Sequence, residues 1–497
     1  MTAENDLREK TNPAQTKYVP TKEFIIFLAC AFLYTNMEGM AGGFRQKYLV
    51  DILGLASTSV ASINLICAVV SFALGFLFTM VIDRAPKQGK DKFRPLVLMA
   101  AIPSGIFSVL MFWTPGFISE LAVVLMIAYQ CTVTILYNAS KSFASTVNQF
   151  AVVMTPDMKE RDKMLSFRGI SSAIGNSAPL VVVMVIGLLE KPGIIKSEAM
   201  TYLISAITCA VASSAILIVG ARTIKERVVY SPKKVNPLLG YKDILKNKYA
   251  WLVLLSEFIK NFRGIATYMG VFLAAALLGS SSKFLLFGLP TGIGTMVGML
   301  IVQALLKKFN SKQIYIASGI YSVIANLGAF AVGAYAFQHP ETIYQVIFFV
   351  FLFLIGLQYG ASNLLPNMFK ADILEDLEAK THKRLEASLD FAIGIGGQIS
   401  GAIAGALAPM VLYGNSALNF IQYAQQVGDE AMPQSETTKI RLLLVYTMGQ
   451  GVFMLLCAVP FLFYRLTGKR KEQVHETVMA NRAMLAEAEA AAENAGA

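Results

Sequence analysis

Six ionisable side chains lie inside long apolar stretches of this chain: Glu38, Lys141, Glu257, Lys260, Arg263 and Asp390. A charge placed in hydrocarbon costs at least about 2.5–3.5 kcal/mol on insertion scales, so each must face a partner or a watery cavity. Three acids against three bases fits mutual pairing around a shared polar cavity. Glu257, Lys260 and Arg263 follow one another at i, i+3 and i+6, which sets the first two on adjacent helical turns and carries the third along that face with some drift. Two readings of the face stay open, a static ion pair that fixes helix packing and a row that lines a cavity. Arg263 also lies near enough to the outer helix end for its guanidinium to snorkel. Lys141 stands in a polar stripe with Tyr137, Asn138, Ser142 and Ser145. It either binds an anionic group on a solute or neutralises Glu38 or Glu257 across the bundle. Glu38 has Asn36 beside it, and Asp390 closely follows Arg384 and Glu386, as either a gate residue or a proton carrier would. A carboxylate whose pKa is raised by burial carries a proton near neutral pH, which makes Glu38 and Glu257 candidate carriers.

Other chemistries lack the residues they need. The five cysteines (Cys30, Cys67, Cys131, Cys209, Cys457) fall in apolar segments without CxxC spacing, so neither disulfides nor a zinc site is expected. His339, His382 and His475 have no HExxH or paired-ligand spacing, and no Walker A or GxSxG pattern occurs. We therefore expect no metal, no cofactor and no enzyme.

The elements that position the six charges follow from composition. With 55% hydrophobic and 15% charged residues, and apolar stretches of the roughly 20 residues a bilayer core requires, the chain reads as an all-α integral membrane protein. Twelve spans are expected, near 24–48, 57–82, 95–113, 119–149, 164–189, 198–220, 249–278, 284–306, 312–335, 343–369, 386–414 and 438–466. Of the 43 Lys and Arg residues, 33 fall at the amino end, in or beside the loops after even-numbered spans, and in the tail; 7 fall in or beside the other loops and 3 within spans. The positive-inside rule then sets both termini in the cytoplasm. The net charge of +11 is explained by these loops, so a nucleic-acid partner is not expected. Residues 1–23 form a cytoplasmic amino end without the pattern of a secretory signal. Residues 24–220 and 249–466 form two six-helix halves, joined by a basic cytoplasmic linker at 221–248. Residues 467–497 form a cytoplasmic tail expected as a frayed helix with little to bury. Gly397, Gly401 and Gly405 in span eleven, with Gly288, Gly292, Gly294 and Gly298 in span eight, have small-xxx-small spacing that predicts close packing within one chain, hence a monomer.

Four segments carry a resemblance: YLVDILGL (Tyr48 to Leu55), DRAPKQGKDKFRP (Asp83 to Pro95), TPDMKERDKMLSFR (Thr155 to Arg168) and ADILEDLEAKTHKRLEAS (Ala371 to Ser388). In order and spacing they resemble the glycoside-pentoside-hexuronide:cation symporters, the melibiose permease group of the major facilitator superfamily. The resemblance implies two pseudo-symmetric six-helix halves and secondary active transport of a small organic solute by alternating access, driven by H+ or Na+, in the bacterial inner membrane. The last three segments interleave acids with bases in loops read as cytoplasmic. Asp83, Arg94, Asp157, Arg161, Arg168, Asp372, Glu375 and Arg384 are thus candidates for a cytoplasmic gate; the bland alternative is topology alone, which needs the bases but not the acids.

The departures are equally informative. Where the family carries two carboxylates one turn apart in span two, Ser71 and Gly75 stand; where it often has a lysine in span eleven, Gln398 stands; its span-four (N/D)-I-P-Y is Ala144 to Val147 here. Thr35 occupies the place of the span-one sugar-binding acid, with Glu38 nearly a turn later. The expected cavity is therefore repurposed for a glycoside, hexuronide or other anionic or amphipathic solute, with Glu38, Asn36, Lys141, Asn138, Glu257, Lys260, Arg263, Asp390 and Gln398 as binding or proton-carrying candidates. The alternatives are an uncoupled facilitator or exporter of lipid-like or steroid-like molecules and, from another class, a membrane enzyme or sensor that does not transport.

Overall fold

The computed structural model of the chain describes residues 18–82, 91–116, 123–155, 157–189, 194–195, 197–227, 241–339, 341–381, 386–426 and 433–481. Among them are twelve long helices and no strand: α1 Thr21–Lys47, α2 Ser57–Ile82, α3 Arg94–Leu110, α4 Val123–Ala144, α5 Met158–Gly187, α6 Glu198–Thr223, α7 Lys248–Leu278, α8 Leu285–Leu305, α9 Ser311–Ala336, α10 Thr342–Thr381, α11 Glu386–Leu412 and α12 Glu436–Ala458. They follow the expected spans in order. Eleven stretches are long and apolar enough to cross a membrane; α3, at 17 residues, is shorter. Large apolar side chains stay exposed along these helices, among them Met99, Val124, Leu300 and Ile324. Outward faces of that kind suit hydrocarbon rather than water.

Helix ends follow local chemistry. Ser197, Asn247 and Ser435 each accept a backbone N–H at the first turn of the helix they precede, and Asn310 pairs with Gln313 in a capping box. Gly279 ends α7 at φ 74°, a left-handed conformation suited to glycine. Two charged segments expected as loops are helical for most of their length. Asp157 accepts the Glu160 amide at 3.0 Å and starts α5, so KERDKM is its first turns. The 40-residue α10 runs on to Thr381, because ADILEDLEAKT has no glycine or proline and sets Asp376 and Lys380 at i, i+4, 2.5 Å apart.

The chain groups into two compact units: Met1–Leu55, Val69–Lys233 and Val427–Asp429 form one, and Ala56–Ala68, Lys234–Gln426 and Glu430–Ala497 the other. In the first, α1 packs on α5 and α6, and α3 on α4 and α6. Its core includes Phe27, Tyr34, Val97, Phe150, Met164 and Leu217. In the second, α7 packs on α11 and α12, and α10 on α8 and α9. Its core gathers Tyr249, Tyr315, Phe369, Phe461 and Tyr464, with rings such as Phe369 and Phe461 stacked at 4.2 Å. Close approach is real in span eight, where a Cβ on Gly298 would meet the Leu357 carbonyl of α10 at 2.2 Å. In span eleven it is not: a Cβ on Gly401 would have no atom within 4 Å.

The tail departs from expectation. Residues 469–481 form a helix, α13, that is docked: Val478 is buried, Lys471 pairs with Asp372 at 2.6 Å and His475 lies 3.4 Å from Glu375. Apolar residues at Val474 and Val478, four apart, give it the face a frayed helix would lack.

Candidate functional site

In the first unit the central charges meet. Lys141 of α4 lies 2.9 Å from the Glu38 carboxylate of α1, and the Tyr34 hydroxyl, one turn earlier, donates to the same carboxylate at 3.1 Å. Of the partners left open for Lys141, the structure selects Glu38. Glycines let α1 and α5 approach closely beneath this face: a Cβ on Gly175 would lie 2.1 Å from the Phe32 carbonyl. Both ends of the pair keep about a third of their side-chain surface accessible, 36% for Lys141 and 27% for Glu38. The Tyr137 hydroxyl and the Asn36 Oδ1 are buried without hydrogen-bond partners. Asn138 donates to Ser71 at 2.9 Å, so a hydroxyl held by an amide stands where the related symporters place a carboxylate. Thr35 is turned to packing, donating to the Ala31 and Ser172 carbonyls at 2.9 and 3.0 Å. Glu38 is therefore the acid this unit presents.

In the second unit Glu257 and Lys260 pair along α7 at 2.8 Å. Arg263 leaves that face. It stands at the middle of α7 rather than at an end, which rules out snorkelling. Its guanidinium lies over the Tyr359 ring of α10, 4.3 Å from the centroid, and donates to Ser362 at 3.4 Å. Tyr359 is in turn held by a hydrogen bond to Gln450 of α12. Among the described residues no carboxylate pairs with Arg263. The expected balance fails because Asp390 bonds to Lys370, a residue of α10 outside the six. Gln398 is exposed on α11 with no polar partner among the described residues.

The described gate candidates sit toward the basic ends of the helices, with the following partners in their own unit. Arg94 pairs with Asp91 at 2.5 Å and donates to the Ala221 carbonyl at 2.8 Å. Asp157 caps α5, Arg168 donates to the Asn148 carbonyl at 2.9 Å, and Arg161 has no ion-pair partner among the described residues. Asp372 takes Lys471 and the Tyr464 hydroxyl, and Glu375 faces His475. Asp83 and Arg384 lie outside the described residues.

Several partners escaped the sequence reading. Glu226 accepts the backbone amides of Lys92, Phe93 and Arg94 at 2.8 Å, and Glu23 grips Arg227 through two bonds of 2.8 Å. Arg45, Lys47 and Asp51, counted with a loop, belong to α1 and the π-helical turn Tyr48–Ile52 that extends it. Lys47 and Asp51 bond to each other with no exposed surface, and Arg45 donates to Thr134 of α4 at 2.8 Å. The i, i+4 spacing of Lys47 and Asp51 inside YLVDILGL was the available signal. No group of His, Cys, Asp and Glu among the described residues could hold a metal ion.

Paired charges at mid-helix within an all-helical bundle are an arrangement suited to moving polar solutes across hydrocarbon. The comparisons agree. A putative glycoside/cation symporter, YagG of Escherichia coli, is 25% identical, with 93% of this chain and 94% of the relative covered. The isoprimeverose transporter of Lactiplantibacillus pentosus is 22% identical over 92% and 91%. Among solved structures, the nucleoside transporter NupG superposes with a TM-score of 0.61 at 14% identity, covering 88% of this chain and 99% of that one. The family model described as MFS/sugar transport protein matches residues 25–468. The chain therefore belongs to this family, the glycoside-pentoside-hexuronide:cation symporters of the major facilitator superfamily, and is a multi-pass membrane transporter of small solutes rather than an enzyme.

Proposed function

We propose that this transporter is a proton-driven symporter of a glycoside bearing an acidic group, such as a hexuronide, with Arg263 receiving the anion and Glu38 carrying the proton. One observation carries the reading: Arg263 is a cation at the middle of a membrane helix whose neighbours are a tyrosine ring and a hydroxyl, not a carboxylate. A guanidinium has five donors in a planar fork that matches a carboxylate, and here one is used. The sugar part is supported by the names of the relatives, a glycoside/cation symporter and an isoprimeverose transporter.

The proton follows from the Glu38–Lys141 pair. Protonating Glu38 cancels its charge and frees Lys141 of its acid, so proton uptake and anion affinity at Lys141 rise together. Sodium is disfavoured as the driving ion, because Ser71 and Gly75 supply no carboxylate in span two. The basic loops are assigned to the cytoplasm, with both termini inside, in the bacterial inner membrane, and the chain acts as a monomer without nucleic acid.

The test is solute-evoked alkalinisation around inverted-free, energised cells expressing the transporter, with a panel of hexuronides and the matching neutral glycosides. Hexuronides should evoke proton entry, and Arg263→Ala should abolish it. Sodium-dependent uptake without alkalinisation would refute the proton, and equal transport of neutral glycosides by Arg263→Ala would refute the anion.

A further inference from the structure

A groove of about 540 Å³ opens on the second unit where α8 and α9 pack on α10 more than on each other. It lies in the range of roughly 300–1,000 Å³ typical of small-molecule sites. Its walls are apolar, with Ile301, Leu305 and Phe309 37–51% exposed and Val302 and Ile314 buried. Glycine sets the close approach of α8 and α10 beside it: a Cβ on Gly360 would come within 2.3 Å of the backbone of Gly298, which lines the groove.

One polar group in this lining is unspent. Ser318 donates to the Tyr315 carbonyl at 2.7 Å, Tyr321 to the Leu354 carbonyl at 3.0 Å, and Gln313 accepts the Asn310 amide at 3.2 Å. Gln358 is 1% exposed, and neither its amide nitrogen nor its amide oxygen has a partner. A buried amide left without hydrogen bonds is costly, so this one points to an occupant that supplies them. Sterically matched packing alone would have been served by leucine.

The open end carries charge. Lys307 and Lys308 immediately precede Phe309 of the lining, both are exposed, and neither side chain has a partner among the described residues. From Gln313 at this end to Tyr321 near Gln358, α9 rises eight residues, or about 12 Å at 1.5 Å per residue. The span is too long for one phospholipid to set its phosphate at the lysines and its ester at Gln358.

We propose that the groove binds an amphipathic acid: a carboxylate at Lys307 and Lys308, an apolar body along the walls, and a hydroxyl or keto group far along that body hydrogen-bonded to Gln358. The site is separate from Arg263 and Glu38, so it stands or falls by binding and not by transport.

Ricinoleic acid, oleic acid and methyl ricinoleate test it directly, since they differ by one hydroxyl or one charge. Binding is measured by equilibrium dialysis against the full-length transporter in phosphatidylcholine nanodiscs, with empty nanodiscs subtracted. Ricinoleate should bind about ten-fold more tightly than oleate, the worth of a charge-free buried hydrogen bond near 1.4 kcal/mol. Gln358→Leu should erase that preference while oleate binding persists, which also shows that the variant is folded. The acid should bind roughly five-fold or more tightly than its methyl ester, and Lys307→Ala with Lys308→Ala should equalise them. Equal affinities for ricinoleate and oleate, a preference that survives Gln358→Leu, or ester and acid binding alike would each overturn the proposal. So would absence of saturable binding.

Discussion

Removing Lys141 isolates the energetics of the central pair. At 2.9 Å and an effective dielectric of about 20, two unit charges attract by roughly 6 kcal/mol, most of it offset by lost hydration. Breaking a fully buried pair costs about 3–5 kcal/mol, but 36% and 27% of these side chains stay accessible. A net coupling of about 1–2 kcal/mol follows, between that limit and the 0.2–1 kcal/mol of exposed pairs. The assay is a double-mutant cycle of Lys141→Ala, Glu38→Gln and the double variant, read as unfolding free energy in mixed detergent and SDS micelles. Lys141→Ala alone should be the least stable, since it strands a carboxylate with Tyr34 as its remaining partner; the double variant should recover most of the loss. Additive single effects, within about 0.5 kcal/mol, would refute the pairing as an energetic unit.

Lys47→Ala should destabilise the first unit by about 3–5 kcal/mol, because it leaves Asp51 charged with no exposed surface, whereas Lys47→Met with Asp51→Leu should be near neutral by the same assay. Gly175→Ala should cost about 1–3 kcal/mol or more, since its Cβ would fall 2.1 Å from a backbone carbonyl of α1; an unchanged midpoint would place the two helices farther apart. Asp372→Asn should loosen α13, with amide exchange over 469–481 roughly five-fold faster for a loss near 1 kcal/mol, and exchange in α7 unaltered. Replacing chloride by a bulky anion should lower the melting temperature of the empty transporter, and Arg263→Gln should remove that sensitivity; a wild type indifferent to the anion would argue that Arg263 is not an anion site.

Helices and their order were legible because twenty-residue apolar runs have few alternatives in a chain so poor in charge. The charges at membrane depth were legible for the same reason, since each stands alone against a uniform background. What could not be read was the partner of each, which depends on helix rotation: Asp390 of α11 and Lys370 of α10 are 20 residues apart in sequence, and neither helix's pattern shows that they meet. The extension of α10 to Thr381 was readable from its helix-forming residues, but the density of charge in ADILEDLEAKT suggested a loop. Glu226 and Glu23 were invisible as functional groups, because their roles are to hold backbone amides and Arg227 across more than a hundred residues of chain. Tyr359 and Ser362 hid for a different reason: a tyrosine or serine in an apolar run is ordinary until a guanidinium is found against it.

With Asp390 bound to Lys370, the mid-helix inventory no longer balances. In the first unit Glu38 pairs with Lys141; in the second, Glu257 pairs with Lys260 and Arg263 is left over. In each unit an acid on the first helix of the six is paired, with Lys141 from the fourth helix in one case and Lys260 from the same helix in the other. The fourth helix of the second unit then offers Arg263 an aromatic face rather than a counter-charge. A cation over a tyrosine ring recovers about 0.5–2 kcal/mol, less than a cation at membrane depth costs. Among the described mid-helix charges of the second unit, Arg263 thus has no acid, and a neutral sugar would not supply one. On the proposed reading, an acidic solute supplies that charge on binding. In the proposed coupling, a proton on Glu38 leaves Lys141 without its acid as well and favours an anion there, which is the linkage a symporter needs.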